Sequence, residues 1–416
     1  MQATVGRTMA GLFAGLIFFL SLWIVLPAPN LFFLRLAVGT PEISPLLEGS
    51  SAIALIIVLA TALPRPWYLP KKRFSRSARQ RPWFRRFLVA LLLATLGLSS
   101  LPLLRYQGTV AQAEQSMAIA FPTAFSQGRS TTPSHRFSWR TFFRGRPIPK
   151  VRQQTGIVFS QPTPQLPLSL DLYQPSRPGQ YPVILTIYGG SWMRGTPAES
   201  ERLSRFLAAR GYVVAAIDYR HAPDHRFPAQ LQDVQAALAF VRDHADDYEI
   251  DPNRIGLLGW SAGAHLAMLT GFQPGAKVQS KVQSIVSYYG PIDLTRGYAD
   301  PPTPDPIDVR SVLVAFIGGT PDEQPAAYAQ ASPITYVNQA KPDALPPTLL
   351  IYGGRDHVVE AKFGRRLYDA MQNSGNRAVW VKIPWAEHAF DKVFNGVSNQ
   401  LALHFIEQFL DQTLRG

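Results

Sequence analysis

The sequence predicts an α/β protein, a mostly parallel eight-stranded sheet flanked by helices and preceded by about three transmembrane helices. Three observations carry this prediction. From Gly156 onward, short runs rich in β-branched and apolar residues alternate with helix-length stretches. Parallel strands need crossovers of that length, and such crossovers cover both faces of a sheet. The stretch Gly259-Trp260-Ser261-Ala262-Gly263 lies between an apolar run at 255–258 and a helix-like run at 264–269, the pattern of strand, sharp turn and helix. Uncharged apolar segments close to the length of a bilayer occur within the first 104 residues.

Residues 1–104 read as a membrane region with spans at about 8–26, 45–64 and 87–104. Arg7 precedes the first segment as in a signal peptide, but Pro27-Ala28-Pro29 is a poor cleavage site and more apolar segments follow, which favours a retained span. The second is short and crosses only if Glu48 snorkels to an interface or the helix starts near Ile43, with Trp67 and Tyr68 anchoring the far side. The third is apolar throughout, with Trp83 and Phe84 before it and Arg105 after it. Arg65, Lys71, Lys72, Arg73, Arg76, Arg79, Arg81, Arg85 and Arg86 crowd between the second and third spans with no acid among them. The positive-inside bias places that loop and the N-terminus in the cytoplasm. The loop with Arg35, Glu42 and Glu48, and everything after residue 104, are then extracytoplasmic.

Charge is unevenly spread. The chain has a net charge of +13, yet residues 1–110 hold twelve Lys/Arg against two Asp/Glu and residues 111–150 hold six against one, so the remainder is near neutral. Nucleic-acid binding would want its basic surface on the folded domain, and this distribution argues against it. The absence of cysteine excludes disulfides, thiolate metal sites and a cysteine nucleophile. Residues 105–154 read as a linker or flap, in which 135–146 interleaves aromatics with cations in a way that suits a headgroup interface.

Residues 155–416 form the α/β domain, with strands expected at 156–160, 169–173, 183–188, 212–218, 255–259, 282–288, 348–352 and 378–383. A helix at 228–243 shows its period in Leu231, Val234, Leu238 and Val241, which fall on one stripe. In sheets of this kind ligands bind beyond the carboxyl ends of the strands, so chemistry-bearing residues belong just after them.

Ser261 meets that condition, held on a strained turn that presents its hydroxyl above the sheet. A serine hydroxyl needs a base, and His388 follows the final strand; His221, His225 and His265 read as structural. The base needs an acid to hold its tautomer, and Asp356 follows the seventh strand in a glycine-rich turn, with Asp293 after the sixth as its competitor. Oxyanion donors are available from the N–H groups of Gly189, Gly190 and Ala262. Tyr188, Ser191, Trp192 and Trp260 adjoin these positions and are candidates for the substrate pocket. Arg220 and Asp233 read as a structural ion pair.

The order Ser, Asp, His, with Tyr188-Gly189-Gly190-Ser191-Trp192, Asp218-Tyr219-Arg220, Phe227-Pro228-Ala229 and Gly353-Gly354-Arg355-Asp356, resembles the α/β-hydrolase superfamily over about residues 155–416. Within it the resemblance is to the esterase/lipase branch that is feruloyl-esterase-like and related to hormone-sensitive lipase. It implies the α/β-hydrolase fold and a serine hydrolase without cofactor or metal that cleaves small to medium acyl esters through an acyl-enzyme. The family's oxyanion turn usually begins with histidine, whereas here it begins with Tyr188. The expected partners are a small-molecule ester and, through the N-terminal spans, a lipid bilayer. Acyl transfer or amide hydrolysis by the same three residues, and a non-catalytic membrane receptor, are the alternatives. Whether 295–339 caps the acyl pocket or is a plain surface excursion stays open at this level.

Overall fold

The computed structural model describes residues 2–60, 82–122, 137–274 and 282–415. Its strands are β1 (Arg152–Thr163), β2 (Leu166–Gln174), β3 (Tyr181–Ile187), β4 (Val213–Ile217), β5 (Ile250–Trp260), β6 (Ser284–Tyr288), β7 (Thr348–Gly353) and β8 (Ala378–Ile383). Among the described residues they form one eight-stranded sheet in the order β1-β2-β4-β3-β5-β6-β7-β8. β2 pairs antiparallel with both β1 and β4, and every other pairing is parallel. Each strand expected from the sequence overlaps one of these. β3, β4, β6 and β7 are buried almost throughout, and β5 is buried from Ile255 to Gly259, as a parallel sheet covered on both faces requires.

The helices are α1 (Gln2–Leu22), α2 (Leu31–Glu42), α3 (Ser44–Ala60), α4 (Pro82–Ala120), α5 (Trp139–Arg144), α6 (Glu201–Ala208) and α7 (Ala229–Asp243). After them come α8 (Ala262–Phe272), α9 (Leu294–Ala299), α10 (Val309–Ile317), α11 (Pro325–Gln330), α12 (Pro333–Val337), α13 (Ala361–Asn373) and α14 (Val397–Leu414). α7, α8 and α13 cover one face of the sheet, and α6, α14 and the second half of α4 cover the other.

The N-terminal region departs from the sequence reading in three ways. First, the described part of 105–122 is helix rather than irregular linker: α4 continues unbroken from its apolar half into the domain. There Tyr106, Val110, Ala113 and Met117 are buried in the main core, and Ser116 Oγ accepts from the Trp380 N–H of β8 at 2.8 Å. These small and apolar residues recur at helical spacing, and their burial depends on a strand more than 250 residues away, which no local pattern reveals.

Second, residues 31–42, expected to lie in an external loop, form α2, which docks on the α/β domain. The buried Glu42 carboxylate accepts from Ser398 N at 2.8 Å and from Ser398 Oγ, at the N-terminus of α14. The third difference concerns the spans. Among the described residues, α4 alone is long and apolar enough to cross a membrane; α2 and α3 pass together only as a pair bent by 73°, and residues 8–22 make a shorter apolar helix. The three full spans expected from the sequence thus reduce to one, or two if the bent pair counts. α1, α3 and α4 nevertheless pack on one another through Ala14, Ile17, Leu47, Leu88 and Leu92, while Leu12, Leu16, Ile53 and Ile56 face outward. Residues 61–81, which hold seven of the nine clustered cations, and His135 and Arg136 lie outside the described residues.

Candidate active site

β5 ends at Trp260 and α8 starts at Ala262, so Ser261 alone makes the turn, with φ 49° and ψ −117°. A non-glycine residue adopts this backbone only where its surroundings enforce it. The enforcement comes from Gly263, where a Cβ would sit 2.0 Å from Ile187 O and 2.4 Å from Tyr188 O: helix α8 can begin this close to β3 only without a side chain there. The Ser261 N–H donates to Tyr288 O at 2.9 Å, which ties the turn to β6 as well.

The loop after β7 carries Asp356 and the loop after β8 carries His388, so neighbouring strands deliver both to the carboxyl edge. His388 Nε2 lies 3.1 Å from Ser261 Oγ, and His388 Nδ1 lies 2.8 Å from Asp356 Oδ2. The other carboxylate oxygen of Asp356 accepts from the N–H groups of Val358 at 2.8 Å and Val359 at 2.7 Å, which fixes the plane of the group. Burial disfavours the His388 imidazolium, but the charge and hydrogen bond of Asp356, with Glu387 and Asp391 further off, outweigh it and raise the pKa above the usual histidine value. The Tyr289 ring packs 4.3 Å from the His388 ring, centroid to centroid.

Other candidates are engaged elsewhere. Asp293 caps α9, accepting from Arg296 N–H, and pairs with Arg366 at 2.7 Å. His221 bonds the Tyr188 hydroxyl at 2.8 Å. His265 is buried, its Nδ1 accepting from Trp192 Nε1 at 3.2 Å and its Nε2 facing Ala331 O at 2.6 Å; burial lowers its pKa to about 4 and keeps it neutral. Arg220 pairs with Asp233 at 2.8 Å, the structural bridge expected from the sequence.

Gly189 and Gly190 follow β3 and run beside the turn: a Cβ on Gly189 would lie 2.8 Å from Trp260 O and 3.2 Å from Ser261 Cβ. Ala262 opens α8, where the first N–H groups have no intrahelical acceptor. Gly189, Gly190 and Ala262 thus lie beside Ser261, the two glycines lining the same cleft. Two cavities meet there. One, of about 60 Å³, is apolar and runs under α9 and α10, lined by Trp192, Ile292, Leu294, Val312, Leu313 and Phe363. Residues 294–313 thus wall the site rather than form a plain excursion. The other is a cleft of about 340 Å³ lined by Tyr188, Gly189, Gly190, Trp260 and His388 together with Leu31 and Leu34 of α2; Ser191 lines both. The Tyr188 hydroxyl is directed to Asp218 and His221, so this residue offers the cleft its ring.

Two features had no signal that the sequence reading used. Glu387 is buried and accepts from His357 N–H at 2.7 Å and from His388 N–H at 3.0 Å, with its second oxygen 2.6 Å from His357 Nδ1. It thereby clamps the Asp356 loop to the His388 loop, and its hydrogen bond raises the His357 pKa against the opposing effect of burial. Its place directly before His388 is the only cue in the chain. The second is the contribution of α2.

A mostly parallel sheet with this strand order, flanked by helices and carrying a serine on the sharp turn after β5, is the α/β-hydrolase fold. Residues 170–371 match the BD-FAE family model. The chain is 34% identical over 242 residues to a probable carboxylic ester hydrolase, LipM, of Mycobacterium tuberculosis, covering 56% of this chain and 54% of that protein. It is 32% identical over 257 residues to the esterase LipC of the same organism, covering 58% and 60%. It is also 30% identical over 220 residues to the isoprenylcysteine alpha-carbonyl methylesterase ICME of Arabidopsis thaliana, covering 50% and 51%. The chain thus spans about half the length of the curated relatives it matches. Among solved structures, a thermophilic esterase of Thermogutta terrifontis superposes with a TM-score of 0.52 at 25% identity, covering 64% of this chain and 92% of that one.

Proposed function

We propose that the protein is a membrane-anchored serine carboxylesterase. The observation that carries the reading is the hydrogen-bonded row Asp356–His388–Ser261 at 2.8 and 3.1 Å on the carboxyl edge of the sheet. Ser261 Oγ attacks the ester carbonyl carbon as His388 Nε2 takes its proton, and Asp356 stabilises the imidazolium. The N–H groups of Gly189, Gly190 and Ala262 hold the oxyanion of the tetrahedral intermediate. His388 returns the proton to the departing alcohol oxygen, leaving an acyl-Ser261 ester. Water then repeats the sequence and releases the acid. Fluorophosphonate labelling of the purified full chain tests the reading directly; folded protein that resists labelling would refute it.

The two cavities divide the substrate. The apolar one admits the acyl group, and at about 60 Å³ it is less than half of the ~150 Å³ cavity that accepts benzene. Short acyl chains are therefore favoured. Across p-nitrophenyl esters, kcat/KM is expected to fall at least about tenfold between butyrate and octanoate, because methylenes that find no room lose their burial energy. A flat profile would refute the assignment of this cavity.

The bundle of α1, α3 and α4, with apolar residues on its outer surface, supports burial in a bilayer. α4 runs toward the domain from the side of the cationic cluster at 65–86, which supports an extracytoplasmic domain. A phosphatase reporter fused after Gly416 is expected to be active in the extracytoplasmic compartment. Activity of a cytoplasm-only reporter at the same position would overturn this topology.

A further inference from the structure

The larger cleft beside Ser261 is closed on one side by the N-terminal region. Leu31 and Leu34, one turn apart on α2, line the same cleft as Ser261 and His388. Both ends of α2 are fastened to the domain. At its start, Asn30 caps the helix and the preceding segment offers Ile24 O to the guanidinium of Arg355, the residue next to Asp356. At its end, Glu42 is buried against Ser398. The wall is thus built into the site by contacts to the loop that carries Asp356 and to the helix that follows His388.

That wall is apolar and continues outward. Leu31 is 50% exposed and its neighbour Phe32 is 65% exposed, and Val25 and Leu26 in the segment between α1 and α2 are exposed as well. A soluble alcohol group has no use for leucines on the membrane side of the cleft, whereas an alkyl chain leaving a bilayer would exchange lipid contact for contact with them.

We infer that α2 is the alcohol-side wall of the substrate site, and that the substrate is an amphiphilic ester: a short acyl group on a long-chain alcohol, drawn from the bilayer along Leu31 and Leu34. This rests on the esterase reading above. The leaving alcohol carries the chain, so the reaction frees a lipid alcohol into the membrane and a short acid into water.

The test uses the full chain reconstituted in phosphatidylcholine vesicles, with hexadecyl acetate and ethyl acetate as substrates sharing one acyl group. Wild type is expected to favour hexadecyl acetate in kcat/KM. Leu31→Glu, at an exposed position, should lower the hexadecyl-to-ethyl ratio at least about tenfold. Leu34→Ser should lower it in the same direction, and partitioning cancels between variant and wild type. Hydrolysis of ethyl acetate without hydrolysis of hexadecyl acetate, or a ratio within about twofold of wild type in Leu31→Glu, would overturn this inference alone. Failure on both esters with Ser261 unlabelled by a fluorophosphonate would instead overturn the esterase reading beneath it.

Discussion

Replacing Ser261 with alanine is expected to lower kcat for a soluble acetate ester by roughly 10⁵-fold or more, since the other members of such a constellation do little without the nucleophile. The substitution removes one oxygen and leaves Gly263, which enforces the turn, untouched. The melting temperature should therefore stay within about 4 °C of wild type. Residual turnover within about a hundredfold of wild type, from protein free of contaminating esterase, would show that the covalent step does not run through this residue.

Asp356→Asn is expected to lower kcat by roughly 10³–10⁴-fold at neutral pH, for a reason the hydrogen bonds specify. One carboxylate oxygen faces two donors, the N–H groups of Val358 and Val359, and only an amide oxygen satisfies them. The amide NH₂ must then point at His388 Nδ1, which becomes an acceptor. The ring proton is left on Nε2, where it cannot receive the serine proton. The pH profile separates this from simple loss of folding. In the wild type the His388 pKa is raised, so the rising limb of kcat/KM should have its midpoint above the usual histidine value. Any stability that His388 gains from its charged form is fully present below the unfolded pKa and is lost as pH rises through the folded one. Without the Asp356 charge, burial dominates and the limb should move to lower pH. An unchanged midpoint in the variant would contradict the pairing of these two residues.

Much of the fold was legible because its determinants are local. Each strand of the sheet is a short apolar or alternating run bounded by turn residues, and each was found near its expected position. The turn at Ser261 is legible in part because Gly259 answers to a local constraint, a Cβ there lying 2.4 Å from the Gly263 carbonyl, whereas the close approach at Gly263 is to Ile187 and Tyr188 at the end of β3, which only the fold supplies. The structure brings Asp356 rather than Asp293 to His388, because the strand order places β7 beside β8. Residues 105–120 read as linker because the stripe Tyr106, Val110, Ala113 and Met117 is diluted by exposed Gln and Gly, and only the strand it covers shows that the stripe is core. Three spans exceed what folds because hydropathy does not register how long a helix runs: the apolar run at 8–26 yields a shorter apolar helix at 8–22, and α3 passes as a span only together with α2, which meets it at a bend of 73°.

By itself the sequence determined the strands, the place of the serine turn and the residue types that follow each strand, since these depend on periodicity and turn chemistry over a few neighbouring positions. The tertiary structure alone decided which side chains meet. It brought Glu387 onto His357, carried α4 from the apolar bundle into the domain core, and set Leu31 and Leu34 in the cleft beside Ser261. Those contacts join residues from 30 to more than 200 positions apart. At that separation, long-range packing and the burial of polar groups choose the partner, and the local pattern carries no record of the choice.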